Sequence, residues 1–288
     1  MKIASNYYAL VAGLPDLAAD MKKLIFNLLD FRNEMKEQLS DEDYRLTELF
    51  FIPYDNKNII SQLTNTSRPH EELAILSKEE LEEELQTKEI DPGDLQPKTF
   101  IEYLRSFIIA YKNEIAIYPG LSYENQLTAY YYDFALRADN AFVRAWFTFE
   151  RNIKNMQVAI NAQKHGLPLD KNLIGDNDVC LAIKNTKSRD YGLSAEYPYM
   201  EKLLSLYESN ELMKREKEVD LIRWKMAEEL TVFNYFSIEN ILAYLIKLTI
   251  VERWLRLDDN TGKELFERLL SNFANSYEVP KEFLIFKY

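Results

Sequence analysis

Asp258, Asp259 and Glu264 stand in the stretch "LDDNTGKE" and form the one acidic cluster that invites a metal-site reading. Two aspartates and a glutamate offer hard carboxylate oxygens to Mg²⁺, as in helical enzymes that process diphosphates. Such a site needs a second acidic motif facing the first, and no comparable helix position supplies one. The plainer reading is a loop and a helix start, where Asp and Thr are expected; Thr261 with Glu264 makes a capping box there. The histidines, His70 and His165, are the only 2 in the chain. Neither belongs to a Glu-x-x-His or His-x-x-x-His pair, the spacing that sets zinc or di-iron ligands on one helical face. His165 adjoins Gly166 at a helix end, where a partly positive imidazole suits the helix dipole. Cys180 has no histidine close in sequence and reads as a small buried hydrophobe. Cys-x-x-Cys and the phosphate-cradling P-loop pattern are both absent from the sequence. The chain therefore reads as having no catalytic residue, no cofactor-binding residue and no metal ligand.

Composition narrows the fold. The 288 residues contain only 7 glycines and are 47% apolar. Sheet turns and phosphate loops consume glycine, so the shortage predicts an all-α fold. The net charge of −12 disfavours nucleic acid, whose phosphates require a basic patch. Residues 71–94 hold ten acidic and two basic side chains, and read as a solvated acidic helix and loop. The single cysteine forbids an internal disulfide and fits a reducing compartment. The apolar stretch near the start is too short for a secretory signal. The run "ILAYLIKLTIV" contains Lys247 and is far shorter than the roughly 20 residues of a membrane span.

Caps and breakers order the helices. Leu17, Met21, Leu24, Leu28, Phe31 and Met35 recur at three and four, predicting a first helix over 15–39. Ser40 caps a second, which Pro53 breaks or kinks. Ser77 and Glu80 box the start of a short acidic helix. "DPGDLQP" is a loop, and a helix over 99–116 follows. Residues 121–165 read as two helices broken near Asp139 and Asn140, stopped by Gly166 and Pro168. Residues 167–198 read as irregular and 199–232 as helical. Ser237 caps the apolar run, with Phe236 and Ile241 as a hydrophobic staple. The tail "EVPKEFLIFKY" reads as an extended segment.

The helix over 145–166 contains Asn152, Asn155 and Asn161, although asparagine competes for backbone hydrogen bonds and weakens helices. Phe142, Trp146, Phe149, Ile153, Met156 and Ile160 make one apolar stripe, and Val143, Phe147 and Val158 a second. Asn152 and Asn155 share a third face with small residues. A helix covered on three sides lies inside a bundle, so the asparagines bond across a close contact and fix packing. The stretch "LFFIPYDNKNIISQL" lies 97 residues upstream of a similar one, with Asp55 at the place of Asn152 and Asn58 at that of Asn155. A third echo, "YLIKLTIVERWLRLDD", keeps Glu252 and lacks the asparagine.

Together with "YYALVAGLPDL", these helices resemble the C subunit (termed d in eukaryotes) of V/A-type rotary ATPases, and more closely an uncharacterised bacterial family related to it. The resemblance implies helical lobes related by a weak internal repeat in a funnel: residues 1–120 with the acidic segment, 121–198, and 199–288 with the tail. It implies a repeat motif at Asp55, Asn58, Asn152, Asn155 and Glu252. It further implies a non-catalytic rotor part whose partners are the central-shaft and membrane-ring subunits, on the cytoplasmic face and peripheral to the inner membrane through the complex. Two rivals remain: a helical metal-dependent enzyme acting on a phosphorylated substrate, and a helical protein-binding scaffold.

Overall fold

Side-chain caps set most helix starts. Asn27, Ser40, Thr99, Ser122, Asn140 and Asn177 each accept a hydrogen bond from the N–H three residues on. Each satisfies a donor that a helix start leaves open. Asn27 with Asp30, and Ser77 with Glu80, complete reciprocal boxes. Gly166 ends the longest helix in the left-handed region, at φ 65°.

The structure, a computed structural model, describes residues 7–66, 68–86, 97–169, 171–209 and 211–257. Among them the fold is all-α, without strand. The helices are α1 (Tyr8–Gly13), α2 (Leu28–Gln38), α3 (Asp41–Glu48), α4 (Ile52–Leu63), α5 (Lys78–Gln86), α6 (Phe100–Lys112), α7 (Tyr123–Ala135), α8 (Ala141–His165), α9 (Asp178–Asn185), α10 (Tyr199–Glu208), α11 (Leu212–Glu229) and α12 (Ile238–Arg256). The Asp258, Asp259 and Glu264 cluster, its Thr261 cap and the tail lie outside the described residues, as do residues 91–96 of the expected loop.

Several boundaries differ from those the sequence predicts. The first long helix begins only at Leu28, because Asn27 caps it there. Leu17 and Leu24 still pack on the core, but from a non-helical segment. The break expected at Pro53 is present: α3 ends at Glu48 and Pro53 stands in the first turn of α4, a place where its missing N–H is not needed. Helix α6 stops at Lys112, four residues early, capped by Asn113. The segment expected to be irregular contains α9, started by Asn177 and anchored by buried Val179, Cys180 and Ile183. The helix expected over 199–232 is two helices. Ser237 occupies the cap position of α12 without a side-chain cap bond, and Phe236 lies against Tyr8 with ring centroids 4.6 Å apart.

One hydrophobic core runs from Leu10 to Ile250. Helix α8 packs against α7, α9 and α10, and its first apolar stripe is buried throughout. Helix α11 bridges α10 to α12. Helix α12 returns to α2, so the beginning and end of the described chain meet. Tyr7 N–H donates to Phe236 O at 2.8 Å, and the Tyr244 hydroxyl to Pro15 O at 3.1 Å. Phe50 and Phe147, which occupy matching places in the two similar stretches, touch at 5.1 Å between centroids. No described helix is long and apolar enough to cross a membrane.

Candidate functional site

The five residues of the repeat motif sit on α4, α8 and α12. On α4, Asp55 and Asn58 are 2% and 4% exposed. The two Asp55 oxygens accept from Ile75 N–H at 2.8 Å and Leu76 N–H at 3.0 Å. Asn58 Oδ1 accepts from Glu71 N–H at 2.9 Å. Residues 70–77, which lead into α5, are thus held from α4 by their N–H groups. Helix α2 holds the same segment by its carbonyls: Arg32 donates to Leu73 O at 3.0 Å and Ala74 O at 2.8 Å. His70 Nε2 lies 3.1 Å from Leu76 O and 3.4 Å from Asn58 Nδ2.

Helix α8 treats the approach to α9 similarly. Asn155 donates to Ile174 O at 2.8 Å and accepts from Ile174 N–H at 2.9 Å, closing both backbone groups of one residue. Asn152 Oδ1 accepts from Asn177 Nδ2 at 2.7 Å, and Asn177 in turn caps α9. On α12, Glu252 Oε2 accepts from Leu28 N–H at 2.7 Å, at the first residue of α2. Its other oxygen pairs with Arg256. Three residues on, where α4 and α8 carry asparagine, α12 has Leu255, which forms no such bond.

Burial drives the electrostatics of these groups. It pushes the Asp55 carboxyl up to about 6, against the lowering by the two N–H bonds and by Arg32. It pushes the Cys180 thiol up as well. That thiol is fully buried and donates to Ile174 O at 3.4 Å, so it sits inside the Asn155 network as a small neutral group. His165 is the exposed last residue of α8. Among the described residues no three His, Cys, Asp or Glu side chains are placed to hold a metal ion.

A second polar feature has no counterpart in the sequence motifs. Arg223 of α11 donates to Glu150 of α8 at 2.8 Å and to Asp220 at 3.0 Å. Arg253 of α12 reaches Asp220 at 3.1 Å and Glu216 at 2.8 Å, and Trp254 donates to Asp220 at 2.9 Å. Asp220 is 3% exposed. Burial alone would pull Arg223 down, but Glu150 and Asp220 outweigh it and hold the guanidinium charged. Glu216, Asp220 and Arg223 recur at spacings of four and three on α11, but only the packing of three helices brings Glu150 and Arg253 to them. The cluster walls a cavity of about 300 Å³ floored by Tyr131, Tyr132, Trp146 and Phe147. A neighbouring cavity of about 370 Å³ between α4 and α7 shares Pro53, Tyr131 and Tyr132 with it.

These features define an all-helical protein in which buried acids and amides on long helices hold the segments that enter other helices. Residues 4–276 match the family described as "Protein of unknown function (DUF2764)", and the chain belongs to that family. No curated protein and no solved structure matches the chain.

Proposed function

We propose that the chain is a non-catalytic central-rotor subunit of a V/A-type rotary ATPase or synthase, a socket that couples the central shaft to the membrane ring. The reading starts from the resemblance of its motif helices to the C subunit of those motors. One observation carries it further: α4, α8 and α12 each use the matching acid or amide to hold the segment entering α5, α9 or α2. The third bond joins residues 224 apart in sequence, so the pattern closes around the molecule as three related lobes in a funnel would. A part that transmits torque must resist shear between its helices. Hydrogen bonds to the connecting segments from Asp55, Asn152, Asn155 and Glu252 provide that stiffness. The partners are the shaft and ring subunits, and through them the chain is held at the membrane.

The test is affinity purification of the tagged chain from its native membranes in mild detergent. Shaft and ring subunits should be recovered with it. Recovery of the chain alone, across several detergents and salt concentrations, would remove the proposal.

A further inference from the structure

The turn between α11 and α12 exposes the most apolar surface of the described molecule. Val232, Phe233 and Tyr235 are 52%, 89% and 67% exposed, and Phe236 is 39% exposed. Tyr8, 57% exposed, lies against Phe236 and extends the patch onto α1. Aromatic side chains at this exposure are poor neighbours for water, and clustered ones mark a contact surface. The patch is convex: it is the tip of a helix hairpin, with Asn234 N–H turned back onto Thr231 O at 2.9 Å.

Its charge pattern selects the partner. The nine residues 230–238 carry no charge, and neither does α1. The acids that flank the tip are occupied: Glu229 pairs with Lys225, Glu228 with Lys247, and Glu239 accepts from Asn140. A chain of net charge −12 thus presents one neutral, aromatic prominence. An anionic membrane would repel such a chain, and a protein partner would need a matching concavity. The headgroup region of a neutral bilayer is deformable and takes in Tyr and Phe side chains at the water boundary. We infer that residues 232–236, with Tyr8, form a lipid-contacting tip that inserts its aromatic side chains into the interface of a zwitterionic bilayer. This contact is separate from the rotor proposal, and the isolated chain tests it.

The experiment is flotation of the purified full chain with phosphatidylcholine vesicles. The wild type should float with the vesicles, with little change when salt is raised, because the contact is apolar. The double variant Phe233→Ser/Tyr235→Ser should bind about tenfold less or weaker still. Leu181→Ser, at another exposed apolar site, should float like the wild type. The tip side chains are largely outside the core, so unchanged melting curves are expected for both variants; Phe233→Ser alone, at the most exposed position, is the fallback if the double variant misfolds. A wild type that stays with the unbound protein would overturn the inference. So would a tip variant that floats undiminished, or binding that requires phosphatidylserine and disappears in salt.

Discussion

At Asp55, burial and hydrogen bonding pull in opposite directions, and burial wins. Its carboxyl is raised from 3.8 to about 6, so the folded state holds this proton more tightly than the unfolded chain. The stability it contributes is therefore fully present below the unfolded value and is lost as pH rises through about 6. The loss between about pH 4 and pH 7 should approach 3 kcal/mol, on the order of 1.4 kcal/mol for each tenfold change in proton affinity. Asp55→Ala should remove that part of the pH slope. It should also lower stability outright at about pH 5, since the N–H groups of Ile75 and Leu76 lose their acceptor at about 1–3 kcal/mol each. Urea unfolding of both proteins from about pH 4 to pH 7 separates the two effects. Equal slopes would mean that the carboxyl is solvated. Asn155→Leu should have no comparable pH signature. It leaves the Ile174 N–H without a partner and its carbonyl with only the Cys180 thiol, so a loss of about 1–3 kcal/mol and a melting point several degrees lower are expected.

Helices α3 and α5 begin where the caps Ser40 and Ser77 predict, because a cap is a local device written within four residues. The start of α2 was hidden, since Leu17, Met21 and Leu24 imitate helical spacing while packing from an irregular segment. Its clearest long-range anchor, Glu252, lies 224 residues away. The motif residues were visible as polar intrusions on apolar faces, but their partners were not. The small-residue face suggested asparagine contacts between helices; Asn155 makes one, to Cys180 of α9, and also holds the approach to that helix at Ile174. The segments so held should be unusually protected. Amides of Glu71, Ile75, Leu76 and Ile174 should exchange with deuterium far more slowly than those of Thr66 and Arg68, although none of these residues is in a helix. Uniformly fast exchange would show that the motif bonds do not persist. Of the ion cluster only the α11 spacing of Glu216, Asp220 and Arg223 is local; its ties to Glu150 of α8 and Arg253 of α12 come from packing. Arg223→Met should cost up to about 3–5 kcal/mol, because partly buried Glu150 loses its cation, while Asp220 keeps Arg253 and Trp254. Adding Glu150→Gln should recover part of that loss, a coupling readable in a double-mutant cycle.

On the scale of the whole molecule, the question is whether the lobes behave as parts or as one body. The core passes without interruption from Leu10 to Ile250, and α12 packs on α2, so no described helix group is linked to the rest by a loop alone. Tyr131 donates to Leu49 O at 2.8 Å, Phe50 meets Phe147, and Arg32 crosses to residues 73 and 74. Unfolding any one group would expose apolar faces on its neighbours. That coupling argues for one cooperative transition, despite a chain longer than those that usually show it. Thermal unfolding followed by helical circular dichroism and by tryptophan fluorescence should therefore give coincident curves. The tryptophans at 146, 224 and 254 report on α8, α11 and α12, while circular dichroism also reports on α2 to α6. Asp55→Ala, which strikes α4 far in sequence from every tryptophan, should shift both signals together and by the same amount. Combined with Asn155→Leu, which shares no hydrogen-bond partner with it, the losses should add to within about 0.5 kcal/mol. Fluorescence that keeps its wild-type midpoint while helicity melts early in Asp55→Ala would mean that the α4 region unfolds on its own. A socket made of such independent lobes would yield under load, and the rigid-body mechanism would fail with it.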